Sequence, residues 1–236
     1  RAMVQHRGEA ARIREFYENR DRAETPTWSP IDPATMYHRF LMDLALVDGL
    51  NAARIDLASA EILDVGCGNG LALRNLVELG ANPELLAGVA LVPGRVARAR
   101  ALSPHNRCEG ADANDLPFPD DSFDVVMQQS ALCNVLDSGA RRAFAGEMLR
   151  VLRPGGHVLW YDVFDHQEGD QIRGVPRSEL LELLPGCTIV FERELFHRRT
   201  EQLLARGSLD AALALEQRLP GRASRAALFA VLHAAG

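Results

Sequence analysis

The stretch Glu61-Ile-Leu-Asp-Val-Gly-Cys-Gly-Asn-Gly70 holds residue types that bring a backbone close to a ligand. Gly66, Gly68 and Gly70 recur at spacing two behind Asp64. Glycine leaves no side chain in the way. A turn that feeds a helix also aims free N–H groups outward. Ile62, Leu63 and Val65 read as a buried strand, and Leu71, Leu73, Leu76, Val77 and Leu79 recur with helical period. The unit is therefore strand, glycine turn, helix, the arrangement that binds nucleotides. It does not match the dinucleotide pattern G-x-G-x-x-G/A, because Leu71 occupies the third glycine place, and this argues against NAD. The plain alternative is a glycine-rich turn with no ligand.

Composition removes other chemistries. All 26 basic residues are arginine. A phosphate-loop lysine, a pyridoxal-phosphate lysine and a lysine nucleophile are thereby excluded. Cys67, Cys108, Cys133 and Cys187 form no C-x-x-C pair, which points to neither a zinc site nor a disulfide framework. A net charge of −6 argues against non-specific nucleic-acid binding. No apolar run reaches the roughly 18 residues of a membrane span, and no signal peptide is evident, with Met3 reading as the initiator. The expectation is a soluble cytoplasmic protein, monomer or homodimer, with a small-molecule substrate and neither nucleic acid nor membrane as partner.

Apolar periodicity predicts the elements that position the glycine turn. Two helices, over about 6–22 and from about Ala34 to Leu50, form an N-terminal helical cap over residues 1–55, broken by three prolines around Trp28. The core over 56–236 has strands near 61–65, 85–91, 107–110, 123–127, 157–163 and 188–196. Helices are expected over 93–101, 140–152 and 200–219, with 226–232 a last strand or a helix. Alternation of this kind implies an α/β fold with a doubly wound, mostly parallel sheet.

Three motifs in order resemble the class I S-adenosylmethionine (SAM) dependent methyltransferases, in particular a bacterial small-molecule subset. They are I-L-D-V-G-C-G-N-G, the turn and strand from Gly110-Ala-Asp-Ala-Asn to Met127, and Glu147-Met-Leu-Arg-Val-Leu-Arg-Pro-Gly-Gly156. The resemblance covers about residues 60–165. It implies a seven-stranded Rossmann-like sheet with the last strand antiparallel beside the fifth, and SAM as cofactor. Asp64, Gly66, Cys67, Gly68 and Gly70 would hold the amino acid end of SAM. Asp112 would accept the adenine amino group, with Ala113 supplying an N–H. Gln128, Gln129 and Ser130 would lie beside the sulfonium. The second strand ends at Ala90-Leu91, where the family usually has an acid on the ribose hydroxyls. Losing one or two charged hydrogen bonds of roughly 1.5–3 kcal/mol weakens binding by about tenfold to a thousandfold or more. Three readings follow: a substitution introduced into a family-like chain, tolerated weak binding, or a ligand other than SAM.

A sulfonium methyl is an activated electrophile, so the protein must chiefly position a nucleophile and remove a proton if required. Trp28, Tyr37, Trp160 and Tyr161 are candidate aromatic faces for the cation, with core packing as the alternative. Tyr161, Asp162 and Asn134 are the candidate catalytic residues, and Trp28, Tyr37 and Cys133 the candidate substrate contacts. His38 and His166 are further candidate bases. Asp162-x-x-Asp165-His166 lacks a matching ligand elsewhere, so no metal is expected. The reaction expected is methyl transfer to O, N or C of a small molecule. One alternative is cyclisation of SAM to azetidine-2-carboxylate and methylthioadenosine. Another is a degenerate methyltransferase fold serving as a binding module.

Overall fold

The computed structural model describes residues 2–22, 33–164, 171–197, 208–216 and 225–236. Strand β1 (Ile62–Val65) is buried at every position. A parallel strand covered on both faces needs an apolar run rather than alternation, and Ile-Leu-Asp-Val is one with a single polar exception. β1 pairs in parallel with β2 (Leu86–Ala90) on one side and β4 (Phe123–Gln129) on the other. β3 (Arg107–Gly110) extends the sheet beyond β2, and β5 (Leu152–Val163) extends it beyond β4, both in parallel. β7 (Arg225–Ala234) lies antiparallel to β5, and β6 (Cys187–His197) antiparallel to β7. The order is β3-β2-β1-β4-β5-β7-β6, a mixed, mostly parallel seven-stranded sheet with its last strand beside the fifth, as the resemblance implied.

Helices cover both faces. On one, α2 (Pro33–Ala53), α3 (Leu71–Glu78) and α4 (Pro93–Leu102) bury Tyr37, Leu41, Leu46, Leu73, Leu76 and Val96 against Ile62, Met127 and Phe229. On the other, α5 (Ser138–Val151) and α6 (Arg177–Leu183) bury Phe144, Met148 and Leu180 against Leu63, Val65 and Trp160. The chain leaves β1 towards the first face and β4 towards the second. Neighbouring strands that depart on opposite faces open a crevice at their carboxyl ends. α1 (Ala2–Arg22) lies across that crevice and touches α5.

Three features depart from the sequence reading. β5 starts at Leu152 rather than His157, because Leu152 pairs with Phe123 ahead of a register shift through Pro154-Gly-Gly156. α6 follows Pro176 with too short an apolar pattern to announce itself. The two N-terminal helices also do different jobs, α2 joining a core layer while α1 covers the crevice. α7 (Leu209–Glu216) is the described part of the helix expected over 200–219. Trp28, Asp165, His166, Leu203 and Leu204 lie outside the described residues.

Candidate active site

The crevice holds a cavity of about 670 Å³, within the ordinary range of ligand sites. Its floor is the glycine turn. Gly66 has φ +90°, Gly68 +53° and Gly70 +74°, all in the left-handed region that favours glycine. A Cβ on Gly66 would meet Cβ of Ala131 at 2.5 Å. The N–H groups of Gly66 and Cys67 both donate to Val89 O at 2.9 Å, fixing the turn to β2. α3 then begins behind Gly70 with no side-chain cap, leaving its first N–H groups for a ligand.

Asp64 sits behind this turn, 2% exposed, and its buried Oδ1 has no hydrogen-bond partner among the described residues. Burial raises its carboxyl to about 7, with Cys108 adding to the effect. Cys67 is buried with Cys108 as its hydrogen-bonding neighbour, and its Sγ occupies the space over Gly88, where a Cβ would stand 2.8 Å away. Asp64, Cys67 and Gly70 therefore shape the turn from behind, while Gly66 and Gly68 face the cavity.

A second wall is the turn after β3. Ala111 N donates to Ala90 O at 3.2 Å, and Asp112 Oδ1 accepts from the backbone and side-chain nitrogens of Asn114, each at 2.9 Å. Asp112, Ala113, Ala90 and Leu91 all line the cavity. The third wall is the end of β4, where Gln129, Ser130, Ala131 and Asn134 line it. Ser130 has φ +52°, a bend that turns the chain out of the sheet. Gln128 faces the other way. It is fully buried, donates to Tyr161 O at 3.1 Å and accepts from the N–H groups of Ala131 and Leu132. It holds the turn that carries Asn134 and lies behind the wall rather than on it.

Asp162 is likewise behind the wall, 1% exposed, with its carboxylate accepting from Cys133 N at 3.0 Å and Val163 N at 2.9 Å. Burial raises its carboxyl to about 6 against those hydrogen bonds. Cys133 is buried too, and burial beside Asp162 pushes its thiol up. Tyr161 and Tyr37 belong to the apolar core on the α2 face. Among the described residues, none of Asp162, Tyr161, Cys133, Tyr37 and His38 lines the cavity. Period two explains this: Gln128 and Gln129 point to opposite faces, as do Tyr161 and Asp162.

The fourth wall is α1, part of the N-terminal helical cap expected from the sequence, whose cavity-facing residues that reading did not single out. α1 presents Glu9, Ala10, Ile13, Tyr17, Arg20 and Asp21 to the cavity, the spacing of one helical face. Glu9 accepts from Leu136 N at 2.5 Å, and Arg12 donates to Asn134 O and to Gln171 Oε1 at 2.9 Å. Burial opposes charge on Glu9, but the hydrogen bonds from Arg12 and Leu136 outweigh it, so its carboxyl stays below the usual range. Burial lifts the Tyr17 hydroxyl above its usual range, and Asn134 is its hydrogen-bonding neighbour. The Arg95 guanidinium stacks 4.2 Å from the Tyr17 ring centroid. The signal available in sequence was the recurrence of Glu9, Ile13, Tyr17 and Arg20 on a helix otherwise too polar to be core.

Residues 63–160 match the family described as a methyltransferase domain, and this segment carries the glycine turn, the Asp112 turn and the end of β4. Over that segment the chain is similar to methyltransferases. Phthiotriol/phenolphthiotriol dimycocerosates methyltransferase 1 of Mycobacterium ulcerans (strain Agy99) is 28% identical over 197 residues, 81% of this chain and 67% of that protein. The 2-methyl-6-phytyl-1,4-hydroquinone methyltransferase of Synechocystis sp. (strain ATCC 27184 / PCC 6803 / Kazusa) is 40% identical over 105 residues, 43% of this chain and 31% of that protein. Between 31% and 67% of the length of these two relatives is thus spanned. The PH0226 protein of Pyrococcus horikoshii OT3 shares the fold at TM-score 0.63 and 16% identity, over 93% of this chain and 98% of that one.

SAM is the cofactor that the sequence motifs and the methyltransferase-domain match support. The site suits it in three respects: a cradle at Gly66 that a Cβ would fill, uncapped N–H groups ahead of α3, and a buried Asp64 oxygen behind the turn without a partner among the described residues.

Proposed function

We propose that this protein transfers the methyl group of SAM to a small-molecule acceptor at O, N or C. The observation that carries this reading is a single cavity combining the glycine turn and Asp112 turn with further space under α1, walled by Ile13, Tyr17, Asn134, Val135 and Phe144. SAM, when bound, supplies a methyl group already activated by its sulfonium. The chain contributes binding, orientation and exclusion of water. Gly66 and Gly68 admit the amino acid end, and Asp112 with the Ala113 N–H meets the adenine. Gln129 and Ser130 lie between these two ends, at the tip of β4.

The acceptor side is then the space between β4 and α1. Asn134 and Tyr17 are its polar groups, and Ile13, Val135 and Phe144 its apolar ones. Such a mixture suits a flat, largely apolar molecule with one polar substituent, in keeping with the hydroquinone named for one relative. Asn134 orients that substituent. Asp162 positions Asn134 indirectly by holding the neighbouring Cys133 N–H, so no proton transfer to Asp162 is required. Positioning of this kind supplies much of a group-transfer rate.

Incubation with SAM and a panel of hydroxylated aromatic and quinol acceptors, followed by mass spectrometry, tests the reading. S-adenosylhomocysteine appearing only with acceptor supports it. Methylthioadenosine with azetidine-2-carboxylate, formed from SAM alone, overturns methyl transfer in favour of cyclisation.

A further inference from the structure

An adenosyl ligand carries two ribose hydroxyls that need an acceptor. A carboxylate is the strongest choice, because the resulting bonds are charge-assisted. On the wall between the glycine turn and Asp112, the chain offers Ala90, Leu91 and Val92, and no side chain among these three accepts a hydrogen bond. Three carboxylates line the cavity among the described residues: Glu9, Asp21 and Asp112. Glu9 is committed to Arg12 and Leu136 N at the β4 end. Asp112 is committed to Asn114 in the turn after β3. Asp21 alone lies on the β2–α4 side.

Its placement is built rather than incidental. Arg95, in the first turn of α4, donates Nε to Asp21 Oδ2 at 2.7 Å and Nη2 to Oδ1 at 2.5 Å. The same guanidinium stacks on Tyr17, one helical turn before Asp21 on α1. Arg95 Nη1 lies 3.7 Å from where a Cβ on Gly68 would be, so the pair flanks the glycine turn. Arg14 of α1 reaches Leu91 O at 3.4 Å, seating the helix against the end of β2. A carboxylate offers about four acceptor sites and the Arg95 fork takes two. Two remain for a diol.

We propose that Asp21, carried by α1 and held by Arg95, accepts the ribose hydroxyls of the adenosyl ligand, taking the part that the end of β2 leaves unfilled at Ala90. This rests on the SAM reading above. It makes α1 a component of the cofactor site and not merely a cover.

The test is calorimetric titration of the full chain with S-adenosylhomocysteine and with its 2′,3′-dideoxyribose analogue. The variants are Asp21→Ala, Asp21→Asn, Ala90→Asp and the double variant Asp21→Ala/Ala90→Asp, each checked for an unchanged melting curve. Asp21→Ala and Asp21→Asn should weaken the natural ligand by about tenfold to a hundredfold. They should leave the dideoxy ligand within about twofold of the parent, since no hydroxyl remains to lose. Ala90→Asp should restore binding in the Asp21→Ala background. Equal weakening of both ligands would show a structural role for Asp21 and overturn the proposal, as would no weakening of either. If neither the parent chain nor Ala90→Asp binds S-adenosylhomocysteine, the SAM reading itself falls, and the proposal with it.

Discussion

The two sides of the cavity are built by different means. The sheet side is set by the backbone: Gly66 and Cys67 donate to Val89 O, Ala111 donates to Ala90 O, and Ser130 donates to Tyr161 O. The α1 side is held by side chains reaching long distances along the sequence, from Glu9 to Leu136, from Arg12 to Asn134 and from Asp21 to Arg95. Backbone pairs persist while the sheet persists. Side-chain pairs at a part-exposed surface contribute little stability each and come apart locally without unfolding the core. The sheet side should therefore couple binding to folding, and the α1 side should tune binding alone.

Changes on the sheet side give the largest effects. Gly66→Ala forces a side chain into the left-handed region and within 2.5 Å of Ala131 Cβ. Strain of about 1–3 kcal/mol and overpacking of about 1–3 kcal/mol combine. Denaturant unfolding should show the loss, and ligand titration should show no binding. Retention of both would break the contrast at once.

Arg141 tests the support beneath the same side. It is fully buried and donates to Val135 O at 2.7 Å, to Gly174 O and Arg173 O, and to Glu179. Arg141→Leu strands three carbonyls and leaves the half-buried Glu179 with Arg173 as its remaining partner, at a cost of about 1–3 kcal/mol for each group left unsatisfied, read by denaturant unfolding.

Asp64 sharpens the comparison through pH. Burial raises its folded pKa to about 7 from the ordinary 3.8. Between these values the native state keeps a proton that the unfolded state has lost, so this group's contribution to stability falls as pH rises through that window. Asp64→Asn removes the decline. The variant should gain on the parent between pH 5 and pH 8 in thermal melts, while losing affinity for S-adenosylhomocysteine. A parallel pH dependence in parent and variant would dismiss the buried charge as its source.

The smallest effect belongs to α1. Glu9→Gln keeps the shape but weakens the hold on Leu136 N, at a cost of about 0.5–1.5 kcal/mol or less. Stopped-flow measurement should find faster ligand release with nearly unchanged unfolding. Slower release, or a stability loss matching that of Arg141→Leu, would place α1 in the core architecture.

Much of the sheet side was legible because glycines, strand periodicity and turn spacing are local signals. The glycine turn, the Asp112 turn and the antiparallel last strand followed from them or from the family they resemble. What was not legible was facing. Tyr161 and Asp162 stand at the carboxyl end of β5, as a site residue should, yet one joins the α2-side core and the other supports the turn at Cys133. In a strand, moving by one residue exchanges faces, and nothing in the string Leu-Trp-Tyr-Asp marks which face meets the cavity. On the α1 side the helical cap was expected, but its contacts were illegible for another reason. Its contacts join residues as far apart as Arg12 and Asn134, and pairing at that range is a property of the fold, with no local pattern to announce it.

Gly88 and Cys67 share one small volume: a Cβ on Gly88 would stand 2.8 Å from Cys67 Sγ and 2.9 Å from Leu73 Cδ1. Neither position is free to drift while the other stands still. Gly88→Ala alone crowds the thiol, and Cys67→Ala alone leaves a hollow beneath the glycine turn. The two changes together relieve the contact with Sγ, while Cβ of residue 67 and Leu73 Cδ1, each at 2.9 Å, must still give way, so the double variant should be only somewhat more stable than the sum of the single losses allows. Descendants of this sequence should accordingly alter positions 67 and 88 as a pair, a correlation that a growing collection of related chains would display without any measurement of binding.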